Sequence, residues 1–276
     1  MTIMSAFSRE LIDRSGYAGD GFAGVYDRYR PRPPAVIRDV LVRCAGGRRP
    51  RLVVDLGCGT GLSTRLWADH AERVVGVEAN PAMATLAREQ EPSSTVEFAD
   101  RFADDTGLEA GCADIVTCAQ SFHWMDPRAV LPEAARLLRP GGVFAAYDYD
   151  VVPVVDPEVD AAFAALIAAR AAARKRLGLE AGAARWPKSG HAERLRESGL
   201  FAHVREVHCH SEGSADAERI IGLAHSIGGP VAIFGDAAPE VTRTIDALAR
   251  VADERLPEPR PMLIGYTIRL GITPGG

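Results

Sequence analysis

Residues 53–61, Val53-Val54-Asp55-Leu56-Gly57-Cys58-Gly59-Thr60-Gly61, pass from an apolar stretch into three alternate glycines, with an acid two positions before the first. The stretch fits a strand buried on both faces, and the glycines let the backbone turn sharply and approach a ligand where a Cβ would stand in the way. Asp55, Gly57, Gly59 and Gly61 are therefore candidates for a ligand-binding loop. A second acid, Glu78, ends the next apolar run, Arg73-Val74-Val75-Gly76-Val77. A carboxylate at a strand tip can accept two hydrogen bonds from a ribose diol, so the two motifs together point to a nucleoside-bearing ligand. A dinucleotide loop requires a small third residue in Gly-x-Gly-x-x-Gly. Counted from Gly57 that position is Leu62, which argues against a dehydrogenase.

Further motifs follow in order. Ala79-Asn80-Pro81-Ala82-Met83 leads from the second strand into a helix, and an acidic loop with Asp100, Asp104 and Asp105 follows Thr95-Val96-Glu97-Phe98-Ala99. Ala113-Asp114-Ile115-Val116-Thr117-Cys118-Ala119-Gln120 runs into Ser121-Phe122-His123-Trp124, and Leu137-Leu138-Arg139-Pro140-Gly141-Gly142-Val143 stops a helix and opens a strand. With the D-x-G-x-G-x-G spacing at Asp55, this series resembles the S-adenosylmethionine-dependent methyltransferases of the Rossmann-like class. Within them it is similar to the type 11 group, which includes ubiquinone- and menaquinone-biosynthesis-like and trans-aconitate methyltransferase-like proteins. The resemblance implies S-adenosyl-L-methionine as cofactor and S-adenosyl-L-homocysteine as product.

It also implies roles. Glu78 would hold the ribose, with Ala79 and Met83 beside the adenine, although Met83 as plain core filling is an equal reading. Asp104, four residues before Leu108, would take the adenine amino group with Asp105 beside it. Asp100 is a rival, and a solvated acidic turn is the other alternative. The backbone carbonyl near Gln120 would bind the methionine amine. The N-terminal stretch Tyr26-Asp27-Arg28-Tyr29-Arg30-Pro31-Arg32-Pro33-Pro34 resembles the subgroup's Y-x-x-x-R-P-x-Y-P segment, which closes over the cofactor. Arg30 would then meet the methionine carboxylate with Tyr29 as neighbour, the match departing at Pro33 where the family often has Tyr.

Methyl transfer from a sulfonium is an in-line displacement, so alignment of the reactants can supply several kcal/mol by itself. A base is needed only when the nucleophile must lose a proton. His123 is the candidate, because it follows the fourth strand and an imidazole titrates near neutral pH; the alternative is that His123-Trp124 only packs the turn. Tyr17, Trp124, Tyr149 and Trp186 are candidates to border the acceptor. For Trp186, structural packing is an equal alternative. By strand alternation, Tyr147 and Tyr149 share one orientation, and Asp148 and Asp150 the other.

These residues need an α/β frame. Apolar strands alternating with amphipathic helices from about residue 36 to 148 predict a parallel sheet covered on both faces. Strands are placed near 51–56, 73–78, 95–99, 113–119 and 142–148. The resemblance adds a closing helix at 191–198, a strand at 204–210 and a last, antiparallel strand at 264–270. The expected fold is a seven-stranded Rossmann-like methyltransferase sheet, mostly parallel, with helical lid insertions. Residues 1–35 form an N-terminal lid segment, 36–150 the cofactor-binding core, 151–190 and 211–262 helical acceptor-lid segments, and 191–210 with 263–276 the completion of the sheet. Helices are expected to start at Pro157-Glu158 and to span Pro239 to Arg255, with Gly228-Gly229-Pro230 as loop or hinge between them.

At 276 residues, 47% hydrophobic and 25% charged, the chain reads as a globular protein large enough for one elaborated domain. A net charge of −5 argues against a nucleic-acid partner, since phosphate binding depends on a cationic surface. Arg170, Arg174, Lys175 and Arg176 form a local basic group that reads as a solvated helix face, with anion binding as the alternative. The five cysteines show no C-x-x-C pair, which fits a reducing cytoplasm. No signal or membrane-spanning stretch is apparent, and no membrane partner is expected. His208 and His210 alternate on a strand without a third ligand, so no metal is expected. The expected function is methyl transfer to a small-molecule acceptor in bacterial specialised metabolism, O-methylation ahead of N- or C-methylation. A peptide or protein methyltransferase and a non-catalytic cofactor-binding regulatory protein are the alternatives, and a homodimer is left open.

Overall fold

A computed structural model describes residues 22–178, 186–227 and 237–275. The elements run α1 Phe22–Tyr29, α2 Ala35–Cys44, β1 Leu52–Leu56, β2 Arg73–Val77, α3 Pro81–Gln90, β3 Val96–Ala99 and β4 Ala113–Ala119. They continue with α4 Pro127–Leu137, β5 Leu138–Tyr149, α5 Pro157–Arg176, α6 His191–Glu197, β6 His203–Ala215, α7 Ala217–Ser226, α8 Pro239–Arg255 and β7 Arg260–Ile272.

The strands form one seven-stranded sheet in the order β3-β2-β1-β4-β5-β7-β6. β1 to β5 are parallel, β7 is antiparallel to β5, and β6 is antiparallel to β7. This is the expected Rossmann-like methyltransferase sheet. Strand alternation divides the core. Val54 and Leu56 of β1 pack with Val75, Val116, Phe144 and Leu131 on one face, while Val53 packs with Val74, Ile115, Ala145 and Trp67 on the other. Helices α5, α7 and α8 extend the second face through Phe163, Leu166, Leu223 and Leu248.

Helix starts follow local chemistry. Asn80 accepts the backbone N–H groups of Ala82 and Met83 at 3.0 and 3.3 Å, Asp126 that of Arg128 at 2.9 Å, and Asp156 that of Glu158 at 3.0 Å. In each case a proline opens the helix, where its missing N–H costs nothing. The helices from Pro157 and from Pro239 to Arg255 lie where the sequence puts them, whereas Gly228-Gly229-Pro230 falls outside the described residues.

Three strands exceed their expected bounds. β5 begins at Leu138 rather than near 142, because Leu138 pairs with Ala113 of β4, and the glycine turn that follows is tied down as Gly141 N–H donates to Pro274 O at 3.1 Å and Thr273 N–H to Gly142 O at 3.0 Å. β6 and β7 pair continuously from His203↔Ile272 to Ala215↔Arg260, beyond the expected 204–210 and 264–270. The added stretch Ser211-Glu212-Gly213-Ser214 is polar and carries no apolar alternation that would mark it as strand.

Candidate functional site

Strand order reverses between β2 and β4, where β1 has neighbours whose helices cross on opposite faces, and ligands of open α/β sheets bind at the carboxyl ends of such strands. The glycine loop leaves β1 there. Gly57, Gly59 and Gly61 have φ of 67°, 59° and 82°, a region L side chains rarely enter. Gly57 and Cys58 donate N–H groups to Val77 O at 2.8 and 3.1 Å, which anchors the loop to β2. A Cβ on Gly57 would stand 2.6 Å from Met125 Cε and 2.8 Å from Ser121 Cβ. Gly59 differs: it lines a cavity of about 200 Å³, and nothing lies within 4 Å of where its Cβ would be. A ligand can therefore come close to the backbone at that point.

Glu78 stands at the cavity wall between the glycine loop and α3. One carboxylate oxygen accepts Gly59 N–H at 2.9 Å and the other accepts Asn80 N–H at 2.7 Å. Burial pushes its carboxyl up, against the pull of these two N–H donors. Ala79 and Met83 also line the cavity, as do Phe102 and Asp104 from the loop after β3. Asp105 beside them is exposed, and the rival Asp100 is exposed and paired with Arg88 at 2.6 Å. Asp104 is thus the acid of this loop that reaches the cavity.

Asp55 and Gly61 lie behind the wall rather than in it. Asp55 is fully buried, and its two oxygens accept the hydroxyls of Thr64 and Thr117, each at 2.8 Å. Burial raises its carboxyl to about 6 despite those hydroxyls. Its place is beneath the loop, bracing β1 to β4 and to the turn after Gly61. The loop is held from above by α1: Asp27 accepts Thr60 Oγ1 at 2.9 Å and Arg65 Nη2 at 2.6 Å.

Gln120, at the end of β4, has φ of 53°, the single positive value among described non-glycine residues. Its N–H donates to Tyr147 O at 3.0 Å and its side-chain amide to Tyr149 O at 3.3 Å. Arg30 is buried at the cavity's other end, where Nε and Nη2 donate to Ser226 O at 3.0 and 2.7 Å, Nη1 bonds the Tyr149 hydroxyl, and the guanidinium lies 4.4 Å from the Tyr26 ring centroid. Tyr149 and Tyr266 stand at that end, and Tyr147 and Trp124 also line the cavity. The Tyr147 hydroxyl bonds Ser63 Oγ, and the Tyr266 hydroxyl donates to Arg32 O at 3.1 Å. The phenols are thus committed to the protein, and the rings give the wall its apolar character.

Strand alternation places Tyr147 and Tyr149 on the cavity and Asp148 away from it, as the sequence indicates. Tyr266 is the cross-strand partner of Tyr149, with ring centroids 6.0 Å apart. Strand alternation in the last strand was the signal that could have found it.

Besides Asp55, Gly61 and Asp105, two further expected site residues, His123 and Trp186, do not line the cavity. The His123 ring packs on Trp124, centroids 5.2 Å apart, and its Nδ1 is 3.8 Å from an Asp148 oxygen. The short turn Phe122–Trp124 directs Trp124 inward and leaves His123 behind it. Trp186 lies over the outside of the same turn: its N–H donates to His123 O at 2.9 Å and its ring lies between Arg128 and Arg194 at 5.9 and 5.2 Å. Tyr17 lies outside the described residues. Sequence reasoning missed Asp27, Ser63, Phe102, Met125 and Lys188, which no local pattern marks. Among the described residues no group of three or more His, Cys, Asp or Glu could hold a metal, and no helix is long and apolar enough to cross a membrane. His208 and His210 are exposed, each within 3.5 Å of a glutamate oxygen.

Residues 54–146 match the family described as a methyltransferase domain. An uncharacterized methyltransferase of Mycobacterium tuberculosis is 37% identical over 119 residues, 43% of this chain and 46% of that protein. A probable S-adenosylmethionine-dependent methyltransferase of Saccharomyces cerevisiae is 26% identical over 151 residues, 52% of each chain. The chain thus spans about half the length of these curated relatives. A solved structure assigned as a type II methyltransferase from Anaeromyxobacter dehalogenans superposes with a TM-score of 0.60 at 26% identity, covering 90% of this chain and 100% of that one. Residues 54–146 thus match a methyltransferase domain, and by motif order and sheet topology the chain resembles the S-adenosylmethionine-dependent methyltransferases of the Rossmann-like class.

Proposed function

We propose that the protein binds S-adenosyl-L-methionine in this cavity and transfers its methyl group to a small-molecule acceptor held against the Tyr147, Tyr149, Tyr266 and Trp124 rings. The observation that carries the reading is the set of chemistries brought together in one cavity. Asp104 and Phe102 suit an adenine, Glu78 beside the open Gly59 backbone suits a ribose diol, and Gln120 and Arg30 suit the amine and carboxylate of an amino acid. When bound, the cofactor supplies an electrophilic methyl on a sulfonium. The chain's part is to bind, to align and to exclude water, which is where most of the rate of such a displacement comes from.

Oxygen stands ahead of nitrogen or carbon as the methylated atom. The described lining holds no histidine or lysine, and its thiol, Cys58, is pushed up by burial. An acceptor that brings its own ionised oxygen suits such a wall. For an acceptor that must lose a proton, His123 beside Asp148 is our candidate base, acting past Trp124. His123→Ala should then reduce turnover more than cofactor affinity, and undiminished turnover with the true acceptor removes it. Five free cysteines and a net charge of −5 support a reducing cytoplasm and no nucleic-acid partner. The Ala-, Arg- and Gly-rich composition supports a bacterial source, and we place the acceptor in specialised metabolism.

The test is incubation of the purified protein with methyl-labelled cofactor and fractionated cell extract. A labelled small metabolite is the expected product. Label on polypeptide would replace the small acceptor by a protein, and cofactor binding without transfer would leave a regulatory role.

A further inference from the structure

The segment Lys188–Gly190 follows Trp186 beside the turn at Gln120, and Lys188 contacts that turn. Its ammonium bonds Gln120 Oε1 and lies 3.0 Å from Asp148 Oδ1. Asp148 is in turn 3.2 Å from Arg269 Nη1, and Arg269 Nε is 3.0 Å from Glu206. The chain of charges runs from the sheet's far strands, β6 and β7, to the exit of β4.

Gln120 is where that chain ends, and its backbone is in the left-handed region at a φ of 53°. A non-glycine residue persists there only when its surroundings over-determine it. Two contacts come from β5, the Gln120 N–H to Tyr147 O and its side-chain N–H to Tyr149 O. The third is the Lys188 ammonium on the side-chain oxygen. The same segment also grips the turn through Trp186 N–H to His123 O at 2.9 Å. The turn that begins at Gln120 is therefore clamped from β5 on one side and from residues 186–190 on the other.

We infer that Lys188 is a positioning residue: it locks Gln120 in its left-handed conformation and thereby fixes the part of the cavity that receives the amino-acid end of the cofactor. This rests on the proposed cofactor reading. It ties the return leg of the lid to cofactor affinity, so that a displaced 186–190 segment weakens the cofactor site without touching the ligand. Burial lowers the Lys188 ammonium while Asp148 opposes that effect, in keeping with a group held for geometry.

The experiment measures S-adenosylhomocysteine affinity of the full chain by calorimetry, with thermal unfolding alongside. Lys188→Met keeps the stem and removes the ammonium, and it should weaken binding about tenfold. Lys188→Arg, which restores a donor and a charge, should recover to within about threefold. Glycine adopts the left-handed region without cost, so in a Gln120→Gly background Lys188→Met should change affinity less than about twofold. A purely structural lysine would give the same loss in both backgrounds, and that result overturns the inference. So does wild-type affinity in Lys188→Met. If Lys188→Met does not fold, Gln120→Leu serves, since it keeps the backbone strain and removes the acceptor; weakened binding is expected, and wild-type affinity refutes. Failure of the wild-type chain itself to bind S-adenosylhomocysteine would instead refute the cofactor reading.

Discussion

Asp55→Asn separates what the buried acid does for the fold from what it does for the site. In the folded chain the carboxyl is raised from 3.8 to about 6, mainly by burial and only partly offset by the Thr117 and Thr64 hydroxyls. An acid whose folded value lies above its unfolded one contributes stability that is full below pH 3.8 and is lost as pH rises through about 6. The two values differ enough that the ionised group costs the folded state about 3 kcal/mol above pH 6, at ~1.36 kcal/mol per pH unit. The asparagine has the same shape and carries no charge, and its oxygen and amide can each bond one threonine hydroxyl.

Urea unfolding of both proteins between pH 3.5 and 8 would measure this. The variant should be the more stable by about 1–3 kcal/mol at pH 7.5, and the gap should close as pH falls through 6 towards 4. Other titrating groups are common to both proteins and cancel in the difference. Parallel stability curves across the whole range would refute the reasoning, because they would mean that the carboxylate is no harder to ionise in the fold than out of it. A variant less stable at pH 7.5 but equal at pH 4 would reverse the sign and show that Asp55 is stabilised as the anion.

Removing the Glu78 carboxylate as Glu78→Ala takes an acceptor from Gly59 and Asn80 and from the ribose. At about 1.5–3 kcal/mol for a hydrogen bond to a charged group, S-adenosylhomocysteine affinity should fall about 10- to 100-fold by calorimetry, and unchanged affinity would sink the ribose assignment. Gly222 lies under the Tyr29 ring, where an added Cβ would be 2.2 Å from Cδ1. Gly222→Ala should therefore lift α1 from α7, cost about 1–3 kcal/mol in chemical denaturation, and weaken cofactor binding through Arg30. A variant of wild-type stability and affinity would show that α1 does not depend on that seat.

The half of the site that the sequence reveals is the half made of short-range geometry. Gly57, Gly59 and Glu78 sit at strand ends that apolar runs announce, and each contacts neighbours within about twenty residues along the chain, as Glu78 does with Gly59 and Asn80. Asp55 shares that legibility, yet its depth does not show in a motif: the letters are the same whether an acid faces a ligand or, as here, two threonines beneath it. The placement of His123 is hidden in the same way. A three-residue turn decides whether the histidine or the following tryptophan points inward, and spacing from β4 carries no such information. Tyr147 and Tyr149 were legible because a strand alternates, and Tyr266 was hidden only because the register of β7 on β5 has to be known first.

The Arg30 end of the cavity, which we propose receives the acceptor, is built the other way. Arg30 meets Ser226 across 196 positions and Tyr149 across 119, and Arg219 donates to Tyr29 O across 190. Helix α7 ends in carbonyls that accept from two buried arginines, Arg30 at Ser226 and Arg170 at Ala224 and Ile227. The partial negative charge at a helix carboxyl end favours such cations. This end cap is what brings α1, α5 and the tyrosine wall together. None of these contacts passes through the β1–β4 strands or the glycine loop. Two contacts link this end to the β1–β4 side: Asp27 of α1 on Thr60 and Arg65 beside the glycine loop, and Lys188 on Gln120 at the end of β4. On the proposed cofactor reading, those two contacts and Arg30, which bonds Tyr149, are where a change at the tyrosine wall would be felt as a change in cofactor affinity.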